Sequence, residues 1–330
     1  MSLPRARGPL SGWVLERLDA AATPSPAPTV GDDPLAGDDL HLALYLCYEL
    51  HYGGLPGVPA DLEWDLDLLA FRGLLEARFE DAVRAALAPD VIPAGPIDRR
   101  LRAVVAADDG PAVSRYLRRN GTVAEYREFL MHRSAYQLKE ADPHAWAIPR
   151  LRGPAKVALV EILGDEYGGG DPAWLHSQLF ADSMRALELD ATPLAYLDRL
   201  PGVTLAWVNL MSLFGLHRRL RGALVGHLAA FEMTSCGPNR RYADGLRRLG
   251  YGEEATRYFD EHVEADAVHE AIACIDLAGS LVTAEPDLED DVVFGARALL
   301  LTEAQLARHL LSCWSTGLSS LLDLRLPSSV

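Results

Sequence analysis

The residues best placed to do chemistry are His262, Asp266 and His269, spaced x3 and x2 inside one stretch of helical periodicity. At about 100° per residue the three side chains fall within an arc of about 60°, so a single helix face presents two imidazoles and a carboxylate over two turns. Phe259, Ile272 and Ala273 flank the stripe and turn it toward a core. An unpaired carboxylate or imidazolium is costly there, and coordination to a metal ion removes the cost.

Other ligand-type residues break apolar stripes in the same way. Glu166 continues Leu159, Ile162 and Leu163, whereas Glu161 lies about 140° from it and reads as a different face. Glu232 continues Val225 and Leu228, Glu140 sits one turn beyond His132 and Tyr136, and His176 shares a face with Leu179, Phe180 and Ser183. Oxygen and imidazole donors without thiolate suit Fe, Mn or Zn. Four carboxylates balance two divalent cations when the three histidines are neutral, so the set reads as a dinuclear centre. A single Glu or His on an apolar face is more often a hydrogen-bonded core residue, and the inference therefore rests mainly on the triplet. His41, Glu49 and His51 form a rival cluster that reads as structural, because Glu49 and His51 are two residues apart and point to different sides of a helix. Tyr136, Phe180, Phe231 and Asp276 are candidate pocket residues, with core packing as their plainer role; Asp276 lies one heptad after His269 on the same helical face.

These side chains need helices to position them. After a short helix near 13–18, the stretch from Ala21 to Asp39 is rich in Ala, Pro, Thr and Asp and reads as a flexible arm or linker. Helical periodicity follows at roughly 40–51, 64–88, 98–108 and 112–119. Thr122 and Glu125 make a capping box that opens a helix running to Asp142-Pro143. Further helices are expected at about 154–167, 172–189, 217–234, 239–249, 254–282 and 288–314, with Gly168-Gly169-Gly170 and Gly237-Pro238 as stops. Alternating Val, Ile and Thr runs are absent, so the fold class is all-α, with residues 1–112 an N-terminal helical region and 113–330 the core.

Composition narrows the partners. Acidic residues outnumber Lys and Arg by 47 to 31, a net charge of −16, which opposes attraction to phosphate backbones and anionic lipids. No nucleic acid or membrane partner is expected. Cys47, Cys236, Cys274 and Cys313 form no C-x-x-C pair, and the N-terminal residues lack the apolar core of a signal peptide, so a reducing cytoplasm is expected.

The ordered set Glu140, Glu166, His176, Glu232, His262, Asp266 and His269, with the strings LKEADPHAWAIPRL, EILGDEYGGG and FDEHVEADAVHE, resembles the haem-oxygenase-like diiron oxidases, or iron-containing redox enzymes. The resemblance spans roughly residues 113–315 and is closest to the N-oxygenating branch that includes the N-nitrosourea-forming enzymes. A ferritin-like bundle is the competitor, but it uses two Glu-x-x-His motifs, and this sequence has none. The resemblance implies a seven-helix core, an N-terminal region that supports a homodimer, and two iron ions that react with O2 with help from an external reductant. It also implies that Glu166, His176, Glu232, His262, Asp266 and His269 are the common ligands, with Glu140 the extra carboxylate of the N-oxygenating branch. The nitrosourea-forming members continue into a cupin domain for which this chain has no room, so nitrosourea formation is not expected.

The expected reaction is O2-dependent oxidation of an amine or guanidine nitrogen on an amino acid or similar small metabolite in natural-product biosynthesis. Relatives with this scaffold also oxidise carbon by desaturation, C–C cleavage or aziridine formation on amino or fatty acids, so the fold alone does not choose. A non-catalytic helical protein that binds haem or another small ligand is the alternative of another class.

Overall fold

A computed structural model describes residues 3–19, 25–87 and 93–323, apart from the side chains of residues 266 and 267. Among the described residues the secondary structure is helical and contains no strand. The chain is all-α.

In order, the helices are α1 (Pro9–Leu18), α2 (Asp38–Glu49), α3 (Leu66–Ala86), α4 (Ile97–Ala106), α5 (Val113–Arg119), α6 (Val123–Gln137), the single turn α7 (Asp142–Ala145), α8 (Gly153–Glu166), α9 (His176–Ala186), α10 (Gly202–Leu216), α11 (Arg221–Arg248), α12 (Glu253–Ala271), α13 (Ser280–Ala284) and α14 (Glu289–Ser315). Local chemistry sets several of the ends. The Thr122 hydroxyl accepts from the Glu125 amide while the Glu125 carboxylate accepts from the Thr122 amide, so both halves of the expected capping box form at the start of α6. Asp65 caps α3 by accepting from the Leu68 amide at 2.8 Å. After α8, Gly168, Gly169 and Gly170 all take positive φ.

Three local expectations are corrected. Helix α10 was not foreseen: its residues are buried on every side from Gly202 to Gly215, so it has no polar face and leaves no amphipathic period to detect. Helix α11 runs unbroken through Pro238, where a stop was expected. Pro238 removes one backbone donor, but Asn239, Tyr242, Ala243, Gly245 and Leu246 beyond it are buried, and their packing holds the helix together past the break. In the supposed arm, residues 25–37 are tied down, with Trp13 Nε1 donating to the Ser25 carbonyl at 2.9 Å and His41 Nε2 donating to that of Pro34 at 3.1 Å. The part of that arm at 20–24 lies outside the described residues.

The core is organised around α11, which packs against α12, α14 and α5, while α10 is wedged between α2 and α14. The crossing of α11 and α14 is unusually close. A methyl group on Gly226 would stand 1.7 Å from the Val292 carbonyl oxygen, and one on Gly295 would stand 1.8 Å from that of Ala223. Only glycine at both positions lets the two backbones touch, and this contact fixes the height and rotation of the helix that carries Glu232. No single helix among the described residues is long and apolar enough to cross a membrane.

Candidate metal centre

Five elements converge on the ligand-type side chains. α12 supplies His262 and His269, the last residue of α8 is Glu166, the first of α9 is His176, α11 supplies Glu232, and Glu140 sits in the turn after α6 beside Ala141 with its left-handed φ of 74°. None of the six exceeds 7% exposure. Ligand atoms of Glu140, Glu166, His176 and His262 lie within 4.8 Å of one another, and so do those of Glu166, Glu232 and His269. The two groups share Glu166. The side chain of Asp266, the seventh expected ligand, lies outside the described residues.

Hydrogen bonds fix which nitrogen of each ring faces the cluster. His262 donates from Nδ1 to the Tyr258 carbonyl at 2.8 Å, which leaves Nε2 turned toward Glu140 Oε1 at 3.6 Å. His269 is held from Nε2 by Asp165 Oδ2 at 3.0 Å, so its Nδ1 faces Glu232 Oε2 at 3.6 Å. Such anchoring of the far nitrogen is the usual way a protein orients a metal-binding imidazole. His176 Nδ1 meets Glu166 Oε2 at 2.9 Å.

The residues present fit a metal centre. Buried His269 Nδ1 has no hydrogen-bond partner among the described residues, and a buried polar atom normally has one. Separations of 3.6 Å are too long for hydrogen bonds but close to the roughly 3–3.5 Å between adjacent ligands that each stand about 2.0–2.2 Å from one ion. Charge agrees. Burial alone would lower the His269 imidazole, yet the Glu232, Asp165 and Glu166 carboxylates around it raise it to about 9. Burial pushes Glu166 upward, but the neighbouring imidazoles of His176, His262 and His269 hold it well below the usual carboxylate range. Both groups are thus shifted toward their charged forms by opposite charge close by.

Sequence reasoning missed Tyr258, whose hydroxyl donates to both oxygens of Glu140 at 2.8 and 2.9 Å. Its signal was available, because Tyr258 lies four residues before His262 on the same helical face. Burial, together with Glu140, raises Tyr258 well above its usual value, so it stays a donor. Asp165 was also missed, since an exposed acid next to a buried one looks like an ordinary surface residue. His144 and His227, buried and joined at 3.2 Å between Nε2 and Nδ1, were not singled out either.

Of the expected pocket residues, Tyr136 and Phe231 stand in T-shaped contact near Glu140, and Phe180 stands in the same way against Tyr258. Asp276 does not join them and is exposed. The heptad spacing does not hold because residues 272–279 form a π-helix. Its i→i+5 bonding advances each residue by less than the about 100° of an α-helix and rotates Asp276 off the His269 face. The rival cluster is dispersed among structural partners, with His41 against the Asn209 amide, Glu49 paired to Lys139, and His51 between Glu63 and Arg72.

A cavity of about 490 Å³ is lined by Glu140, Tyr258 and His262 of the centre and also by residues 108–115 and by α14. No curated protein matches the chain. A family model described as iron-containing redox enzyme matches residues 127–304, a span that holds all seven expected ligands and covers more than half of the 330 residues. The chain belongs to the iron-containing redox enzyme family.

Proposed function

We propose that the protein is a non-haem diiron oxygenase that uses O2 and an external reductant to oxidise an amine or guanidine nitrogen on an amino acid or similar small metabolite. The observation that carries the reading is the sharing of Glu166 between two buried ligand groups, which suits a carboxylate that bridges two ions. Glu140, His176 and His262 would hold one iron, Glu232 and His269 the other, and Asp266 would complete the set as the fourth carboxylate. The bound irons supply the redox chemistry with O2.

The chain's own residues do the rest. Tyr258 orients Glu140, Asp165 fixes the His269 ring, and the Tyr258 carbonyl fixes that of His262. Phe129, Phe231 and Tyr242 give the cavity an aromatic wall that limits water near the reacting atom. Nitrogen is favoured over carbon because the inner cavity also presents polar groups, Gln137 and Glu140, that can meet an N–H. Leu299, Leu300, Ala304 and Ala307 of α14 also line the cavity and would favour oxidation at carbon if an aliphatic chain binds against them. A homodimer and a place in biosynthesis belong to the same proposal.

Anaerobic Fe(II) titration tests the centre: two irons per chain are expected, and one iron, or iron found only in haem, would refute it. Mass spectrometry of products after O2 is admitted to an amino-acid panel then separates the chemistries, since nitrogen oxidation adds oxygen whereas desaturation removes hydrogen.

A further inference from the structure

Glu140 sits in a turn whose backbone does not hold itself. α6 ends at Gln137, after which the Lys139 amide donates to the Tyr136 carbonyl at 2.8 Å and the Asp142 amide to that of Lys139 at 3.2 Å. The residue after Glu140, Ala141, takes a φ of 74°. A non-glycine residue persists in the left-handed region only where its surroundings over-determine it. Side-chain ties on both sides of Glu140 do this. The Tyr258 hydroxyl holds the Glu140 carboxylate, and the Tyr167 hydroxyl donates to Asp142 Oδ1 at 2.9 Å beyond the turn. Ahead of Glu140 the tie is Lys139.

The Lys139 ammonium pairs with Glu49, the last residue of α2, and stands 4.8 Å from the Tyr45 ring centre and 4.4 Å from that of Tyr52. Both rings attract the cation. The box is itself anchored: the Tyr45 hydroxyl donates to the Ala135 carbonyl of α6 at 3.2 Å, and the Tyr52 hydroxyl meets that of Ser212 in α10 at 3.0 Å. Glu49 is only 6% exposed, so the pair is poorly screened by solvent and salt. One rigid peptide unit joins Lys139 to Glu140, and whatever fixes the first constrains the backbone of the second. Tyr45, Glu49 and Tyr52 all lie ahead of the span 127–304 that the family matches.

We propose that Glu49 and Lys139, boxed by Tyr45 and Tyr52, are positioning residues for the Glu140 ligand: the pair fixes the turn from the side of α2, as Tyr258 fixes the carboxylate. The chain ahead of the matched span thereby takes part in assembling the metal centre. This rests on the diiron reading above and deepens it by naming what sets the geometry of the group that holds Glu140, His176 and His262.

The test is anaerobic Fe(II) titration of the full chain in competition with a chromogenic chelator, with urea midpoints measured on the same samples. Lys139→Met keeps the length of the side chain and removes its charge. It should weaken one of the two irons about 10–100-fold, the loss typical when a group that orients a metal ligand is removed, and leave the other little changed. Lys139→Arg, whose guanidinium still pairs with a carboxylate and stacks on aromatic rings, should titrate close to wild type. Glu49→Gln should weaken the same iron as Lys139→Met, and it carries the test if Lys139→Met does not fold. In a Glu140→Gln background these substitutions should change neither the number of irons nor their affinity further, because the residue they act through has lost its charge. A loss of equal size in that background would make the pair a stabiliser of the fold alone and overturn the proposal, as would folded variants that bind both irons like wild type. A wild-type chain that takes up fewer than two irons sinks the diiron reading and this inference with it, whereas one that holds two and is indifferent to both substitutions sinks only this one.

Discussion

Substitution of Gly226 by alanine places a methyl carbon 1.7 Å from the Val292 carbonyl oxygen. An ordinary carbon–oxygen contact is about 3.4 Å, so the two backbones must part by more than an ångström or bend apart locally. Neither atom sits at the end of a flexible side chain that could swing away. Overpacking in a core costs about 1–3 kcal/mol when side chains can adjust. Because backbone must move here, Gly226→Ala should cost at least about 3 kcal/mol, and Gly295→Ala, which meets the Ala223 carbonyl at 1.8 Å, should cost a similar amount. Gly73 in α3 is the internal control. It is exposed, and a methyl group there meets nothing within 4 Å. Gly73→Ala should therefore stabilise by about 0.5–1 kcal/mol through helix propensity alone. Urea midpoints at constant m-value measure all three. Glu232 lies six residues beyond Gly226, about 9 Å along α11, so folded Gly226→Ala protein should also bind iron less tightly at the group containing Glu232 and His269. A Gly226→Ala midpoint equal to wild type would refute the close crossing and the role given to it in placing Glu232.

Other outcomes follow from the same geometry. Under the diiron reading, His176→Ala and His269→Ala should each reduce iron from two per chain to one, while Glu166→Ala should lose both, as read by anaerobic titration; equal losses from all three would remove the case for a bridging Glu166. Asp165→Asn should weaken iron binding about 10–100-fold without unfolding the chain, because Asp165 is exposed and acts only by orienting His269; an unchanged affinity would argue against that role. Burial lowers His41 and His144 to about 4 and His132 to about 3. All three fall below the unfolded value of about 6.5, so the unfolded chain takes up protons that the folded chain refuses. The contribution of these three histidines to stability should be complete above about pH 6.5 and lost as pH falls toward 4, by roughly 2 kcal/mol per histidine at pH 5. A urea midpoint that stays flat between pH 7 and 5 would contradict this.

What the sequence revealed followed the rules of amphipathic helices. Glu166, His176, Glu232, His262 and His269 were legible because each interrupts an apolar stripe on a helix that also has a polar face, and in the structure their side chains lie together with Glu140. The T-x-x-E box was legible because its chemistry is local. Helix α10 was invisible for the opposite reason: Trp207, Asn209 and Ser212 are as buried as Leu205 and Phe214, so no contrast remains for a periodicity to record. Pro238 misled because a local breaker was weighed without the packing of Tyr242 and Leu246 that outweighs it.

Asp276 fails for a further reason that bears on the centre itself. A seven-residue step keeps a side chain on one face only while the helix keeps 3.6 residues per turn. The change to π-helix begins at Ile272, three residues after His269, so the α-helical register is intact across His262, Asp266 and His269 and lost just beyond them. The wider turn exposes Ile275 and Asp276 while Ala273, Cys274, Leu277 and Ala278 stay buried, which lets the segment keep packing on α8. Since α8 ends at Glu166, that contact ties the shared carboxylate to the helix bearing both histidines. An extra residue inserted in the first turn of α13, beyond the π-segment, should leave iron binding intact. One deleted within 272–279 should restore α-helical winding, pull α12 out of register with α8 and reduce iron stoichiometry. If the deletion variant folds with its iron content unchanged, the π-segment plays no part in aligning the two helices.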